Sequence, residues 1–341
     1  MTIWEFAKKA GVSVATISRA LNPETRCKVL PATLARLESL AKKYNYTPNL
    51  AAKHLRGASF KTVGVLLPHL GGIFFSDYYA KILSGVADAL LQTRYCFKVV
   101  LLKPERTQWD KYDFKRGESI DGLLVTHWPN FFSKASVLDK LNVPCAVIND
   151  PEKNVRAYFV GGDNRMGGFL AAEHLYLNGH RKIAILAGPS WSSDSRLRVR
   201  GFRNFFEKID EKNYLEILSG DFQEKKAIEL TKNFLKEKRE VTAFFCCNDL
   251  MACGVIKALK EMSIRCPEDI SVVGYDDDSR ARTSEPLLTT IRVPLYDLTK
   301  KMTGLLVDHL KGKGKKKNFS GEILFPVKLV ERASVARLAT H

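Results

Sequence analysis

Acidic residues are nearly missing from the start of this chain. Residues 1–57 hold Glu5, Glu24 and Glu38 and no aspartate. Against them stand ten basic residues (Lys8, Lys9, Arg19, Arg26, Lys28, Arg36, Lys42, Lys43, Lys53 and Arg56), a net of +7 out of +17 for the 341-residue chain. So dense a basic excess is the electrostatic footprint of a phosphate-backbone partner. Long apolar runs are missing too. No stretch reaches the roughly 18 residues of a membrane span, and Lys8 and Lys9 interrupt any apolar signal core, so a cytoplasmic location is expected. The seven cysteines are odd in number and show no C-x-x-C spacing, as reduced thiols do in a cytosolic protein. Metal binding by Cys246, Cys247 and Cys253 is the weaker alternative. There is no G-x-S-x-G, no Walker A loop and no metal-ligand cluster, so neither an enzyme nor a bound cofactor is expected. The basic run at 311–317 reads as a solvated loop.

What is present begins with a small helical module. Thr2 and Glu5 have capping-box spacing, and Ile3, Phe6, Ala7 and Ala10 keep helical period. Gly11 supplies the positive φ that stops this helix. Ser13 caps a second helix expected over 14–21, with Ile17 and Leu21 facing the core and Val14, Ala15, Ser18 and Arg19 outward. A helix entering the major groove needs such a short-chained face. Asn22-Pro23 ends it. A third helix is expected over 31–44 with proline at its first position and Asn45 as a left-handed cap. Spacing alone also fits a helical subdomain with a solvated basic face.

The order of residues is more specific than the spacing. A-x-x-A-G-V-S-x-x-T-I-S-R-x-L-N followed by Y-x-P-N-x-x-A-x-x-L resembles the lactose-repressor (LacI) family of bacterial transcription regulators. The resemblance implies that Val14 and Ala15 read bases and that Thr16, Ser18 and Arg19 contact bases or phosphates. It also puts Thr2, Ser13 and Asn22 on the DNA side. Residues 49–56 match the family's hinge helix, which orders on operator DNA, with Asn49, Ala52, Lys53 and Arg56 at DNA-binding positions. Leu55 takes the position that wedges into the minor groove, where it would unstack a base step and bend the duplex. Eight residues are too few for a stable helix in water. One departure is Leu30, which stands before Pro31 where the family usually has a small hydroxyl residue.

After Gly57 the pattern becomes βα alternation. Apolar runs at 62–67, 97–102, 121–125 and 145–148 form one series; 182–187, 243–247 and 271–275 form another, with amphipathic stretches between. Near-continuous apolar strands separated by helices imply parallel sheets covered on both faces, hence two doubly wound lobes of five or six strands each. The expected organisation is a helix-turn-helix domain at 1–46, a hinge helix and linker at 47–58, and a two-lobed α/β core at 59–341. Its N-lobe is about 59–161 and 292–321, and its C-lobe about 162–291 and 322–335.

Ligands bind beyond the carboxyl ends of parallel strands. There this chain has Phe74-Phe75, Trp128, Asn149, Trp191 with Ser192, Phe222, Asn248-Asp249 and Asp276-Asp277. Amides, carboxylates and aromatic faces of this kind suit hydroxyl-rich or heterocyclic ligands; for Asn248 or Asp249, capping the helix that follows is an equal alternative. C-N-D-L-M-A-C-G, P-E-D-I-S-V-V-G-Y-D-D and P-L-L-T-T-I-R-V-P resemble the regulatory core of the same family, which is similar to periplasmic sugar-binding proteins. The resemblance implies that Asp276 and Arg198 are the main polar anchors of an effector. Asn248, Phe222, Phe74 and Phe75 would line its pocket, Asn149 would take a position that can carry aspartate, and Ser192 and Asp194 would make small polar contacts. Gly71-Gly72-Ile73 departs from the common Asn-Pro before the aromatic pair. The expected protein is a repressor of sugar-utilisation genes, a homodimer on a pseudo-palindromic operator. A sugar or sugar derivative between the lobes is its expected allosteric effector, with Trp128 and Trp191 as stacking faces. A nucleobase-like ligand or a protein corepressor is the alternative reading, and a sugar-transport component a remote one.

Overall fold

The computed structural model describes residues 1–22, 25–47, 59–68, 76–102, 114–126, 141–148, 157–210, 214–237, 240–312 and 319–338. The chain forms two compact units, Met1–Phe60 and Lys61–His341.

The first unit holds helices α1 (Ile3–Ala10), α2 (Val14–Ala20) and α3 (Pro31–Lys43). The Thr2/Glu5 capping box forms in both directions. Gly11, at φ +65°, closes α1, and Arg36 donates to the carbonyl of Ala10 at the helix end. Helix α3 ends in a left-handed turn at Asn45 (φ 46°), where the Asn45 and Tyr46 amides reach back to Lys42 and Ala41. That pair of bonds is a Schellman motif. Its start carries no side-chain cap, because Leu30 has no oxygen to offer. The core is Phe6, Ala7, Ala10, Ile17, Ala20, Leu37 and Tyr46, with the Phe6 and Tyr46 rings stacked at 4.4 Å. Ile17 and, half-buried just past the helix end, Leu21 face the core as expected, joined there by the buried Ala20. One expectation for α2 is corrected: Val14 packs against the core rather than pointing outward. With 3.6 residues per turn, positions 17 and 20 share a face, and the small Ala20 lets α2 lie close.

The second unit contains two six-stranded sheets. The first is formed by β1 (Thr62–Pro68), β2 (Cys96–Leu102), β3 (Gly122–Val125), β4 (Cys145–Val147), β5 (Tyr158–Gly162) and β11 (Gly321–Phe325), in the order β11-β5-β4-β3-β1-β2. The second is formed by β6 (Lys182–Ala187), β7 (Tyr214–Ser219), β8 (Ala243–Cys246), β9 (Ser271–Asp276), β10 (Thr289–Arg292) and β12 (Lys328–Val330), ordered β12-β10-β9-β8-β6-β7. All pairings are parallel except β10 with β12. The helices are α4 (Asp77–Leu90), the short α5 (Phe114–Gly117), α6 (Asn164–Leu177), α7 (Ser193–Ile209), α8 (Glu224–Lys236), α9 (Asp249–Glu261) and α10 (Leu295–Leu310). Strands β3, β4 and β8 are buried at every position, as continuous apolar runs require.

The chain passes between the lobes three times: after β5, after β10 and between β11 and β12. The last crossing lies at 326–327 rather than at 321–322, because β11 pairs with β5 along its whole length. This edge strand alternates half-buried and exposed residues, so no apolar run marks its lobe. The crossings pack tightly. A Cβ on Gly162 would stand 2.9 Å from Val293 and 3.1 Å from Val327, one valine in each of the other two crossings.

Candidate DNA-contact helix and effector cleft

In the first unit, the Ser13 hydroxyl accepts from the Thr16 amide and also bonds the Thr16 hydroxyl at 2.9 Å. This fixes the first turn of α2. Ala15, Ser18 and Arg19 lie exposed on the helix, with Thr2 and Ser13 exposed beside it, while Val14, Thr16 and Asn22 are half-buried. The outward face therefore presents a methyl, a hydroxyl and a guanidinium within about one turn. That set can touch a thymine methyl, a base edge and a guanine or phosphate. Asn22 works as a corner: its carbonyl accepts from the Thr25 and Arg26 amides. The hinge positions Asn49, Ala52, Lys53, Leu55 and Arg56 lie outside the described residues.

In the second unit, the expected anchors converge. Helices α6 and α7 meet backbone to backbone: a Cβ on Gly168 would lie 1.9 Å from the Arg198 carbonyl, and one on Gly201 the same distance from that of Arg165. Only glycine permits this approach, and it sets Arg198 beside Asn164. The Arg198 guanidinium is buried and held on three sides. Its Nε donates to Asn164 Oδ1 at 2.8 Å, Nη1 donates to the Cys247 carbonyl at 2.5 Å, and Nη2 stands 3.5 Å from Asp276 Oδ1. Its carbon lies 3.8 Å above the Tyr275 ring. Burial opposes the charge, but Asp276, Tyr275 and Asp194 outweigh it and hold the group above the usual guanidinium value. Asn164 also donates to Asp194 at 2.9 Å, so one amide fixes both an acid and a base.

Asp276 ends β9 with φ at 110° and Asp277 follows at φ 50°, two successive positive angles that turn the chain sharply. The Asp276 Oδ1 atom is buried and accepts no hydrogen bond among the described residues. Burial pushes this carboxyl up to about 7, against the pull of Arg198 and with the help of Asp278 and Asp194. An unsatisfied buried acceptor beside a fixed guanidinium is what a ligand donor would complete. The next acid does different work. Asp277 is buried between Arg292 Nε at 2.6 Å and Arg332 Nη2 at 2.5 Å; burial raises its carboxyl, and Arg332 and Arg292 together bring it below the usual value. Arg292 ends β10 just before one crossing and Arg332 follows β12, the strand entered from another, so this residue ties the loop after β9 to the lobe junction.

Phe222 is half-buried at φ 60°, its ring against the backbone of Gly188, where a Cβ would meet it at 2.2 Å. Ser192 is buried and caps α7 through the Ser195 amide. Trp191 is half-buried. Asn248 Oδ1 caps α9 through the Met251 amide, so the capping alternative holds for its oxygen and leaves its amide nitrogen for a ligand. Asp249 is fully buried and accepts from Thr290 and from the Asp278 amide, which makes it structural. Phe74, Phe75, Trp128 and Asn149 lie outside the described residues.

One cleft residue escaped sequence reasoning. The phenol of Tyr78, in the first turn of α4, is held well above its usual value by burial and then by the charges of Asp194, Tyr79 and Asp276. The charges of both carboxylates thus reach it from the opposite lobe. The signal in the sequence is the aromatic pair Tyr78-Tyr79, which follows Ser76-Asp77 at the start of a helix. The same helix turn binds the lobes together: Asp77 Oδ2 accepts from the Ser279 amide at 2.9 Å, and Lys81 donates to the Asp277 carbonyl at 3.0 Å.

No group of three or more His, Cys, Asp or Glu side chains among the described residues is arranged to hold a metal. Cys246 and Cys247 are buried, and burial pushes the Cys247 thiol up to about 11. No helix among the described residues is long and apolar enough to cross a membrane.

Comparison with known proteins bears on both sites. Residues 2–49 match the model of bacterial regulatory proteins of the lacI family, and residues 172–335 that of a periplasmic binding protein-like domain. The HTH-type transcriptional repressor PurR of Haemophilus influenzae is 30% identical over 337 residues, 98% of each chain. PurR of Photobacterium profundum is 31% identical over 317 residues, 92% of each. Among solved structures, the lac repressor dimer bound to operator and the anti-inducer ONPF superposes with a TM-score of 0.80 at 27% identity, covering 98% of this chain and 99% of that one. The transcriptional regulator CelR in complex with cellobiose gives 0.72 at 27% identity, with the same coverage.

Proposed function

Since the chain belongs to the lacI family of bacterial regulatory proteins, DNA-binding transcriptional repressors and not enzymes, we propose that a small neutral ring held at Asp276 and Arg198 controls its hold on DNA. The observation that carries this is the pairing of a rigid, three-sided Arg198 with the unsatisfied acceptor of Asp276. A vicinal diol would give one hydroxyl to Asp276 and offer another to Arg198 Nη2, while Phe222 covers an apolar ring face. A sugar or sugar derivative fits that pattern, and the solved CelR relative carries cellobiose. A nucleobase-like ring is the second reading, favoured by the aromatic faces of Tyr78 and Phe222. The relatives from Haemophilus influenzae and Photobacterium profundum are named PurR, not after a sugar, which keeps this reading level with the first.

The working unit is a homodimer in the cytoplasm, two α2 helices on a pseudo-palindromic operator, with residues 49–56 ordering on DNA and Leu55 entering the minor groove. The effector acts by its difference in affinity between DNA-competent and DNA-incompetent states. Fluorescence anisotropy on genomic fragments, with and without effector, tests the reading. A sequence-preferring complex whose affinity shifts with ligand is expected; purely non-specific binding under all conditions would overturn it. Tryptophan fluorescence titrations against sugar and purine panels separate the two effector classes.

A further inference from the structure

The face of α7 opposite Arg198 borders a cavity of about 620 Å³. At about 100° per residue, Arg196, Arg200 and Arg203 fall roughly 140–160° around the helix from Arg198, and all three line this cavity. Its other lining comes from the ends of β6 and β7, with Ala187, Ile217 and Ser219 among them. Glu207 is the one acidic side chain among its described lining residues. Arg196 donates to the Ser190 carbonyl at 2.7 Å. Arg200 and Arg203 are exposed and engage no ion pair or hydrogen bond among the described residues.

We propose that this cavity is a second ligand site, distinct from the cleft, that takes a small phosphate-bearing molecule. Guanidinium forks one turn apart match phosphate oxygens by charge and by shape. The volume suits a small molecule, and the apolar surface of Val199 and Ile217 gives the carbon part of an ester a place to lie. The site also shares a wall with the cleft. The Gly188 amide donates to Ser195, which lines the cavity, while Phe222 of the cleft lies against the same glycine. An occupant is therefore placed to shift Phe222 through one backbone segment.

Calorimetric titration of the full-length chain without DNA, at fixed ionic strength, tests the site with inorganic phosphate and glucose 6-phosphate as probes. Saturable binding of the ester is expected, weakened at least tenfold in Arg200→Gln/Arg203→Gln and retained in the cleft variant Arg198→Gln. Glu207→Gln, which removes the opposing charge, tightens binding and guards against a folding defect in the double variant. Phosphate binding as tightly as the ester supports the site and makes the free ion its occupant. Unchanged binding in the double variant, loss in Arg198→Gln alone, or no saturable binding of either probe overturns the proposal.

Discussion

The ammonium of Lys81 donates to the backbone carbonyl of Asp277 at 3.0 Å, joining a helix of the first lobe to the loop that presents Asp276 from the second. Lys81 also pairs with Asp77 at 3.0 Å, and its charge eases the ionisation of Asp276. Lys81→Met removes the bond and the charge together. Effector affinity should fall by about 3–10-fold, the net size of one ordinary hydrogen bond, with little change in secondary structure. Calorimetry and circular dichroism check the two halves of that statement.

Asp276 sets a pH dependence. Its folded carboxyl titrates at about 7, against an ordinary 3.8, so the folded state holds this proton more tightly than the unfolded chain. Its contribution to stability is therefore lost as pH rises from about 4 to 7 and stays absent above. Asp276→Asn removes that slope, seen as a gap between wild-type and variant stability curves that changes between pH 4 and 7 in urea titrations. Ligand binding runs the other way. If the carboxylate accepts a ligand hydrogen, affinity rises from pH 6 to 8 in the wild type and stays flat and weak in the variant.

Gly201 lets α6 and α7 touch. With a Cβ 1.9 Å from the Arg165 carbonyl, Gly201→Ala forces the helices apart. Overpacking of this kind costs about 1–3 kcal/mol, and it displaces Arg198 from Asn164. A lowered urea midpoint together with lost effector binding is expected, with operator binding by the first unit retained.

Leu30 offers a gain. It is 76% exposed and supplies no cap to α3. Leu30→Ser should stabilise the helix start by about 1 kcal/mol, read as slower amide hydrogen exchange in the first turn of α3.

On DNA, Arg19→Ala should weaken operator binding. If the guanidinium contacts phosphate, the loss is uniform across sequences and the salt slope drops by about 1; if it reads a base, specificity at one position relaxes. Leu55→Ala should weaken specific binding and leave non-specific binding nearly unchanged. Anisotropy titrations over a salt series separate these outcomes.

Elements whose cause is local are legible in the amino-acid sequence. The Thr2/Glu5 box, the turn at Gly11, the Ser13 cap and the left-handed Asn45 follow from one residue's chemistry and its near neighbours, and all are found as expected. Buried parallel strands are equally legible, because both of their faces are apolar. The convergence of Arg198 and Asp276 was readable only through the resemblance to a family. The rest depends on long-range packing. That β11 joins the first sheet is fixed by pairing with a strand more than 150 residues away, which an edge strand's pattern does not encode. That Asp276, Asp277 and Asp278 divide into an unsatisfied buried acceptor, a junction tie and a partner of Arg280 depends on which cation reaches each from elsewhere in the fold. Three identical residues in a row carry no such distinction in sequence. Burial, which moves the titration of one of them to about 7, is a property of the packed protein alone.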